Sequence, residues 1–197
     1  MKVLPVKNNN MNSVTYVLYE EDVDYYVLID CGEWDSLKPK LEKLGKKVRA
    51  VLTHGHSDHI YGLMRLLEFE PSVIVGTNEE GHEELGNARK NLSFYHELPF
   101  TLEGYEPLIL QDGMTLHYEG LADIEVIATP GHSPSCITYK IGNDLFTGDA
   151  YIPGVKTFTS FPRGNKELAL KSIALLSKME KQGFNIYCGH CIKKEKS

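Results

Sequence analysis

The 197 residues contain no apolar run approaching the roughly 20 residues a membrane-spanning helix requires, so no membrane association is expected. The opening MKVLPVKNNN has no apolar core of the kind a secretory signal needs, and a cytoplasmic setting is the expectation. Basic clusters are equally scarce. The formal net charge is −6, and before the short Lys193–Lys196 tail no stretch of positive charge could neutralise nucleic-acid phosphates. Four cysteines, Cys31, Cys136, Cys188 and Cys191, do not make the dense framework of a small secreted domain. There is no Pro-, Gly- or Ser-rich linker and no short-period repeat. These absences leave one domain over residues 1–197 with an ordinary apolar content of 42 %, large enough for a sizeable core and acting on a small molecule. They leave oligomeric state open.

Histidine, by contrast, is concentrated. Thr53–Gly62 reads THGHSDHIYG, so three of the eight histidines, His54, His56 and His59, fall within six residues together with Asp58. The apolar run Val48–Leu52 before it reads as a buried strand, and the periodicity of Ile60, Leu63, Met64 and Leu67 after it reads as a helix. The cluster therefore sits on a strand-to-helix loop. Alternation puts His54 and His56 on one side, with Asp58 and His59 turned toward a second point nearby. Imidazoles and a carboxylate are the donors that zinc and similar divalent ions prefer.

Three further stretches share one design, a β-run, a glycine, then a ligand-type side chain: IATPGHS with His132, LFTGDA with Asp149 and IYCGHC with His190. Around them the pattern predicts strands at Val3–Val6, Ser13–Tyr19, Tyr25–Ile29, Ser72–Val75, Pro107–Leu110, Met114–Tyr118, Ile124–Ala128, Thr138–Ile141, Leu145–Thr147 and Phe184–Cys188. Helices are expected from Asp35 as cap to Leu44 with Pro39 in or near the first turn, from Asn78 to about Lys90, and from Asn165 to about Lys181. Asn91–Tyr105 is irregular and aromatic, either a lid or pocket wall or a loop packing its rings on the domain. Propensity alone supports only mixed α and β.

HGHSDH resembles the H-x-H-x-D-H signature of the metallo-β-lactamase superfamily. TPGHS, FTGDA and YCGH resemble its later motifs, the last in the form typical of glyoxalase II, and the resemblance runs from the Asp30-x-Gly32 turn to His190. It implies an α/β four-layer sandwich of helix, sheet, sheet and helix. It also implies two divalent ions, zinc first, with iron or manganese as alternatives. By that resemblance His54, His56 and His132 hold the first ion, Asp58, His59 and His190 the second, and Asp149 bridges them. The implied chemistry is hydrolysis of a thioester, ester or lactone by a hydroxide between the ions, with Asp58 also orienting that hydroxide. β-Lactamases proper lack the bridging aspartate, which disfavours antibiotic hydrolysis, and the flavo-diiron relatives carry glutamate in place of His56.

Two departures bear on substrate. Only seven residues follow His190, so the helical domain that completes glyoxalase II is expected to be absent. Ile192 stands where the family has a tyrosine, and YIPGVKTFTSF replaces a Lys/Tyr segment after Asp149. These departures disfavour glutathione as the handle. His82, His96 and His117 read as surface or structural residues, Tyr151 as a candidate for the pocket, and Cys188-Gly189-His190-Cys191 as a weak redox pattern. The competing functional readings are a mono-iron persulfide dioxygenase of the same superfamily and a non-catalytic metal-binding signalling module.

Overall fold

The computed structural model describes residues 1–9, 11–45 and 47–190. The first sheet follows chain order: β1 (Lys2–Lys7), β2 (Val14–Tyr19), β3 (Tyr25–Ile29), β4 (Lys47–Val51), β5 (Ile74–Thr77) and β6 (Leu108–Ile109). β1 to β3 pair antiparallel, and β3 to β6 pair parallel. The second sheet contains β7 (Thr115–Leu116), β8 (Ile124–Ala128), β9 (Ile137–Ile141), β10 (Asp144–Gly148) and β11 (Asn185–Cys188), in the order β11-β10-β9-β8-β7. β8 and β10 both run antiparallel to β9, and β11 runs parallel to β10.

Parallel neighbours need crossover connections, and helices supply them. α1 (Trp34–Leu44) links β3 to β4, α2 (Ser57–Ile60) and α3 (Leu63–Phe69) link β4 to β5, α4 (Glu79–Leu85) follows β5, and α5 (Lys166–Lys181) links β10 to β11. Strand alternation sorts the apolar side chains into layers. Val27, Ile29 and Val51 meet Val126, Tyr139 and Phe146 between the sheets. Tyr26, Leu28 and Val48 point outward onto Leu37 and Leu41 of α1 and Leu63 and Leu66 of α3. Leu145 and Ile186 point outward onto Leu176 of α5. The result is the expected helix, sheet, sheet, helix sandwich. Because β3, β4 and β5 share one direction, and β8, β10 and β11 share one, the loops leaving each set's C-terminal ends gather at one edge.

Several local expectations shift. Glu33, not Asp35, occupies the N-cap of α1, and Pro39 falls in the second turn on the exposed face, where the carbonyl it leaves unbonded meets solvent. The helix after the histidine cluster breaks in two, because Asp58 O accepts from Ser13 Oγ at 2.6 Å and Gly62 N donates to Cys31 O. α4 has the expected Asn78 cap but ends at Leu85, since Asn87 Oδ1 captures the amides of Arg89 and Lys90 in a turn. The predicted strands at Pro107–Leu110 and Met114–Tyr118 shrink to two residues each, at the edges of different sheets.

Candidate metal centre

β4 ends at Val51, and its extended continuation carries His54 and His56 to the start of α2, whose first turn presents Asp58 and His59. β8 delivers His132 after the Pro130-Gly131 break, β10 delivers Asp149, and β11 delivers His190. All seven residues named from the sequence come together. The donor atoms of His54, His56 and His132 lie within 4.8 Å of one another, as do those of Asp58, His59 and His190, and of His54, His59 and Asp149.

Asp149 stands between the groups. Its Oδ2 is 3.5 Å from His132 Nε2 and 3.2 Å from His190 Nε2, and its Oδ1 is 3.6 Å from His59 Nε2. Asp58 Oδ2 lies 3.1 Å from His190 Nε2 and 3.6 Å from His59 Nε2. In the histidine trio, His56 Nδ1 and His132 Nε2 are 3.0 Å apart. A glycine is obligatory at position 189, where any Cβ would collide with Asp149 Oδ1 and the His59 ring.

Hydrogen bonds behind the cluster fix the imidazole tautomers. Asp30, buried at the end of β3 in a left-handed backbone (φ 64°), accepts from Thr53 N at 2.7 Å, Thr53 Oγ1 at 2.8 Å and His59 Nδ1 at 2.8 Å. A carboxylate accepts, so His59 Nδ1 keeps its proton toward Asp30, and Nε2 is the atom that gives up a proton and offers its lone pair to the cluster when an ion binds. With its own proton given to Asp30, Thr53 Oγ1 accepts from His54 Nδ1 at 3.1 Å, which leaves His54 Nε2 bare. His132 Nδ1 donates to Phe158 O at 2.8 Å, directing Nε2 inward.

Of the six buried side-chain atoms that find no hydrogen-bond partner among the described residues, three belong to this one cluster: His54 Nε2, His59 Nε2 and Asp149 Oδ1. Orphaned buried polar atoms are rare and cost about 1–3 kcal/mol each. Bare imidazole nitrogens and carboxylate oxygens converging from several elements are a donor set that divalent cations satisfy, so the residues fit a two-ion site.

Electrostatics divides the cluster. Burial and the neighbouring His59, His56 and His132 hold His54 well below the usual histidine range. Burial and His132 push His56 down to about 3. Burial opposes a charge on His59 as well, but Asp58, Asp30 and Asp149 outweigh it and raise this histidine to about 9. At His190 the hydrogen bonds it donates to Asp149 and Asp58 overcome burial and raise it to about 10. Asp149 is itself lowered, since His59 and His190 outweigh its burial.

Two parts of the surroundings escape sequence reasoning. Glu84, fully buried on α4, accepts from Gly55 N at 3.0 Å and Ser133 Oγ at 2.6 Å, also accepts from Ser135 Oγ, and pairs with Arg163 Nη1 at 3.3 Å. It thus ties the His54–His56 loop to the loop after His132. Gly55 has no room for a Cβ against Glu84. The second part is the YIPGVKTFTSF segment. Besides the Phe158 carbonyl, it supplies the Phe161 ring, packed edge-on at 5.2 Å from His56 and 5.7 Å from His132. Asp30 had a visible signal, the Asp30-x-Gly32 turn, whereas Glu84 is one acid among many in a polar helix.

The remaining candidates separate. His117 is exposed and 2.8 Å from Asp123, and His82 lies half-buried on α4. His96 is not simply a surface group. Its Nε2 is 3.2 Å from Ser57 Oγ, and it lines a cavity of about 360 Å3 with Asp58. Tyr151 lines a larger cavity of about 450 Å3 beside α5, which none of the seven residues touches, and its hydroxyl donates to Glu180 Oε2 at 2.6 Å. Asn91–Tyr105 is divided: Phe100 and Tyr105 pack on the core, while Phe94 and Tyr95 stay exposed. Cys31, Cys136 and Cys188 are buried, and the positions Cys191 and Ile192 lie outside the described residues.

The chain is 26 % identical over 189 residues to hydroxyacylglutathione hydrolase GloC of Haemophilus influenzae, covering 88 % of this chain and 82 % of that protein. It is 28 % identical over 146 residues to hydroxyacylglutathione hydrolase of Francisella philomiragia, covering 72 % of this chain but spanning only about half, 48 %, of the relative. The crystal structure of BLEG-1 B3 metallo-beta-lactamase superposes with a TM-score of 0.85 at 24 % identity, over 97 % of this chain and 92 % of that one, and at this identity the likeness is one of fold. The sequence profile of the Metallo-beta-lactamase superfamily matches residues 10–190, taking in every residue of the His/Asp cluster, and the chain belongs to that superfamily.

Proposed function

We propose that the protein is a two-ion hydrolase of a thioester, ester or lactone carbonyl. His54, His56 and His132 would hold one ion, Asp58, His59 and His190 the other, and Asp149 would serve both. The observation that carries the reading is Asp149, whose two oxygens face donors of both groups, Oδ1 toward His59 and Oδ2 toward His132 and His190. The chemistry supplied by bound zinc, iron or manganese is Lewis acidity, which makes water nucleophilic near neutral pH and polarises a carbonyl. The protein's own residues supply the placement. Asp58, which lines the cavity, orients the attacking water by accepting one of its protons in a hydrogen bond. Asp30, through His59 and Thr53, keeps imidazole lone pairs rather than N–H groups turned inward. Phe161 covers His56 and His132 and excludes bulk water from that side. Water adds to the acyl carbon, the C–S or C–O bond breaks, and the leaving group departs with a proton as thiol or alcohol. The family relatives named hydroxyacylglutathione hydrolase support this class of reaction.

The zinc- or manganese-loaded protein is expected to cleave an acyl thioester without oxygen, and His59→Ala/His190→Ala to lose that activity. Elemental analysis giving no more than one ion per chain under metal-replete conditions would sink the two-ion scheme. Oxygen uptake with a persulfide by the iron-loaded form, undiminished in the double variant and without thioesterase activity, would identify a dioxygenase. Metal retention without turnover of any acyl substrate would identify a binding module.

A further inference from the structure

The cavity that reaches the cluster at Asp58 is mostly apolar. Met11, Leu92, Tyr95 and Phe161 give it apolar walls, Asp58 forms its link to the cluster, and Ser57 and His96, hydrogen-bonded to each other, are its other polar side chains. Among the described residues, no lysine or arginine lines it. The cations on the two segments that wall it are committed elsewhere. Lys90 is 2.8 Å from Glu83, Arg163 is 3.1 Å from Glu83 and 3.3 Å from Glu84, and Arg89 lies over the Phe94 ring at 4.0 Å. Lys156 lines the other cavity, beside α5.

The wall itself is braced. Ser57 N donates to Asn91 O at 2.7 Å, Asn91 Nδ2 donates to Phe100 O at 3.1 Å, and Ser93 Oγ donates to Phe100 O at 2.9 Å, closing the loop at its base. Leu92 is held in the left-handed region (φ 67°), an unfavourable backbone for a leucine that only such surrounding bonds sustain. Beyond the base, Tyr95 and Leu98 are 69 % and 84 % exposed. An anchored loop that turns a leucine into the cavity and holds further apolar side chains in water is suited to contact with an apolar ligand.

We propose that this site recognises a small, neutral carbonyl compound with an aromatic or branched apolar acyl group, and discriminates against thioesters carried on anionic handles such as glutathione or coenzyme A. Tyr95 is the main specificity-determining side chain. The reaction assigned to that compound rests on the hydrolase reading, whereas its recognition does not. The volume of about 360 Å3 admits an acyl group and a short handle, at the lower end of small-molecule sites. A glutathione handle would bring carboxylates against walls that, among the described residues, offer no lysine or arginine to pair with them.

The test separates recognition from turnover by using non-hydrolysable phenacyl thioethers, one of neutral N-acetylcysteamine and one of glutathione, titrated calorimetrically into the metal-loaded protein. The neutral compound should bind at least about tenfold more tightly, and Tyr95→Ala should remove about tenfold of its affinity, the scale of a lost apolar contact, while changing the glutathione compound little. Tyr95→Lys should narrow or reverse the preference. Equal or tighter binding of the glutathione compound, or no effect of Tyr95→Ala, overturns the proposal. The matching phenylacetyl thioesters are assayed alongside. Selective binding without turnover overturns the hydrolase reading and leaves the recognition standing, and turnover without preference for the neutral handle overturns the recognition alone.

Discussion

Asp30→Asn tests most directly how the fold sets the chemistry of the cluster. The substitution keeps shape and, because asparagine tolerates the left-handed backbone found at this position, adds little strain. The amide oxygen can still accept from Thr53 N, and the amide nitrogen can donate to Thr53 Oγ1. What it cannot do is accept from His59 Nδ1 at 2.8 Å, where an N–H would now face an N–H. His59 relieves that clash only by moving its proton to Nε2, which occupies the lone pair facing Asp149 and Asp58. Thr53, now receiving a proton from the introduced amide nitrogen, is free to donate to His54 Nδ1 and switch that tautomer too. Loss of such a supporting partner lowers metal affinity about 10–100-fold, equivalent to about 1.4–2.8 kcal/mol. Losing one hydrogen bond to a charged acceptor should cost the metal-free protein a further ~1.5–3 kcal/mol of stability. Chelator competition for each metal equivalent, with urea unfolding of the stripped protein, measures both. Affinities within twofold of the parent for both equivalents would refute the assignment of Asp30 as the group that fixes these tautomers.

Other expectations follow from the same geometry. Asp149→Ala should abolish nearly all hydrolytic activity with the far-ultraviolet circular dichroism unchanged, whereas His190→Ala should mainly weaken one of the two metal equivalents; activity within a few-fold of the parent in Asp149→Ala would remove that residue from the ligand set. Glu84→Ala leaves the Gly55 amide, two serine hydroxyls and Arg163 without their shared acceptor. Losing a buried charged partner costs about 3–5 kcal/mol, and Glu84→Gln should recover part of it in urea titrations. In the chelator-treated protein His59 and His190 are raised to about 9 and about 10. Their pairing with Asp58 and Asp149 therefore stabilises the fold fully below the unfolded value of about 6.5 and is lost as pH rises through 9 to 10. Thermal unfolding of the stripped protein should show a falling midpoint across that window, and a flat profile would contradict the charge arrangement.

The sequence by itself determined the strands with strong β-branched alternation, such as Tyr25–Ile29 and Ile124–Ala128, the capped helix at Asn165, and the seven His and Asp residues worth watching, because each of these signals is written in a few consecutive positions. It could not determine where a helix breaks when the cause is distant: α2 and α3 separate because Ser13 and Cys31 take the backbone groups of Asp58 and Gly62. Nor could it single out Glu84, whose significance comes from four partners spread over Gly55, Ser133, Ser135 and Arg163. The same holds for His96, which reads only as a surface or structural residue until the Asn91–Tyr105 loop folds it against Ser57. Residue type and spacing are local properties and announce which atoms can bind an ion. Which lone pair faces inward, and what walls the space above it, are set by hydrogen bonds and packing between segments tens of residues apart, and only the tertiary structure decides those.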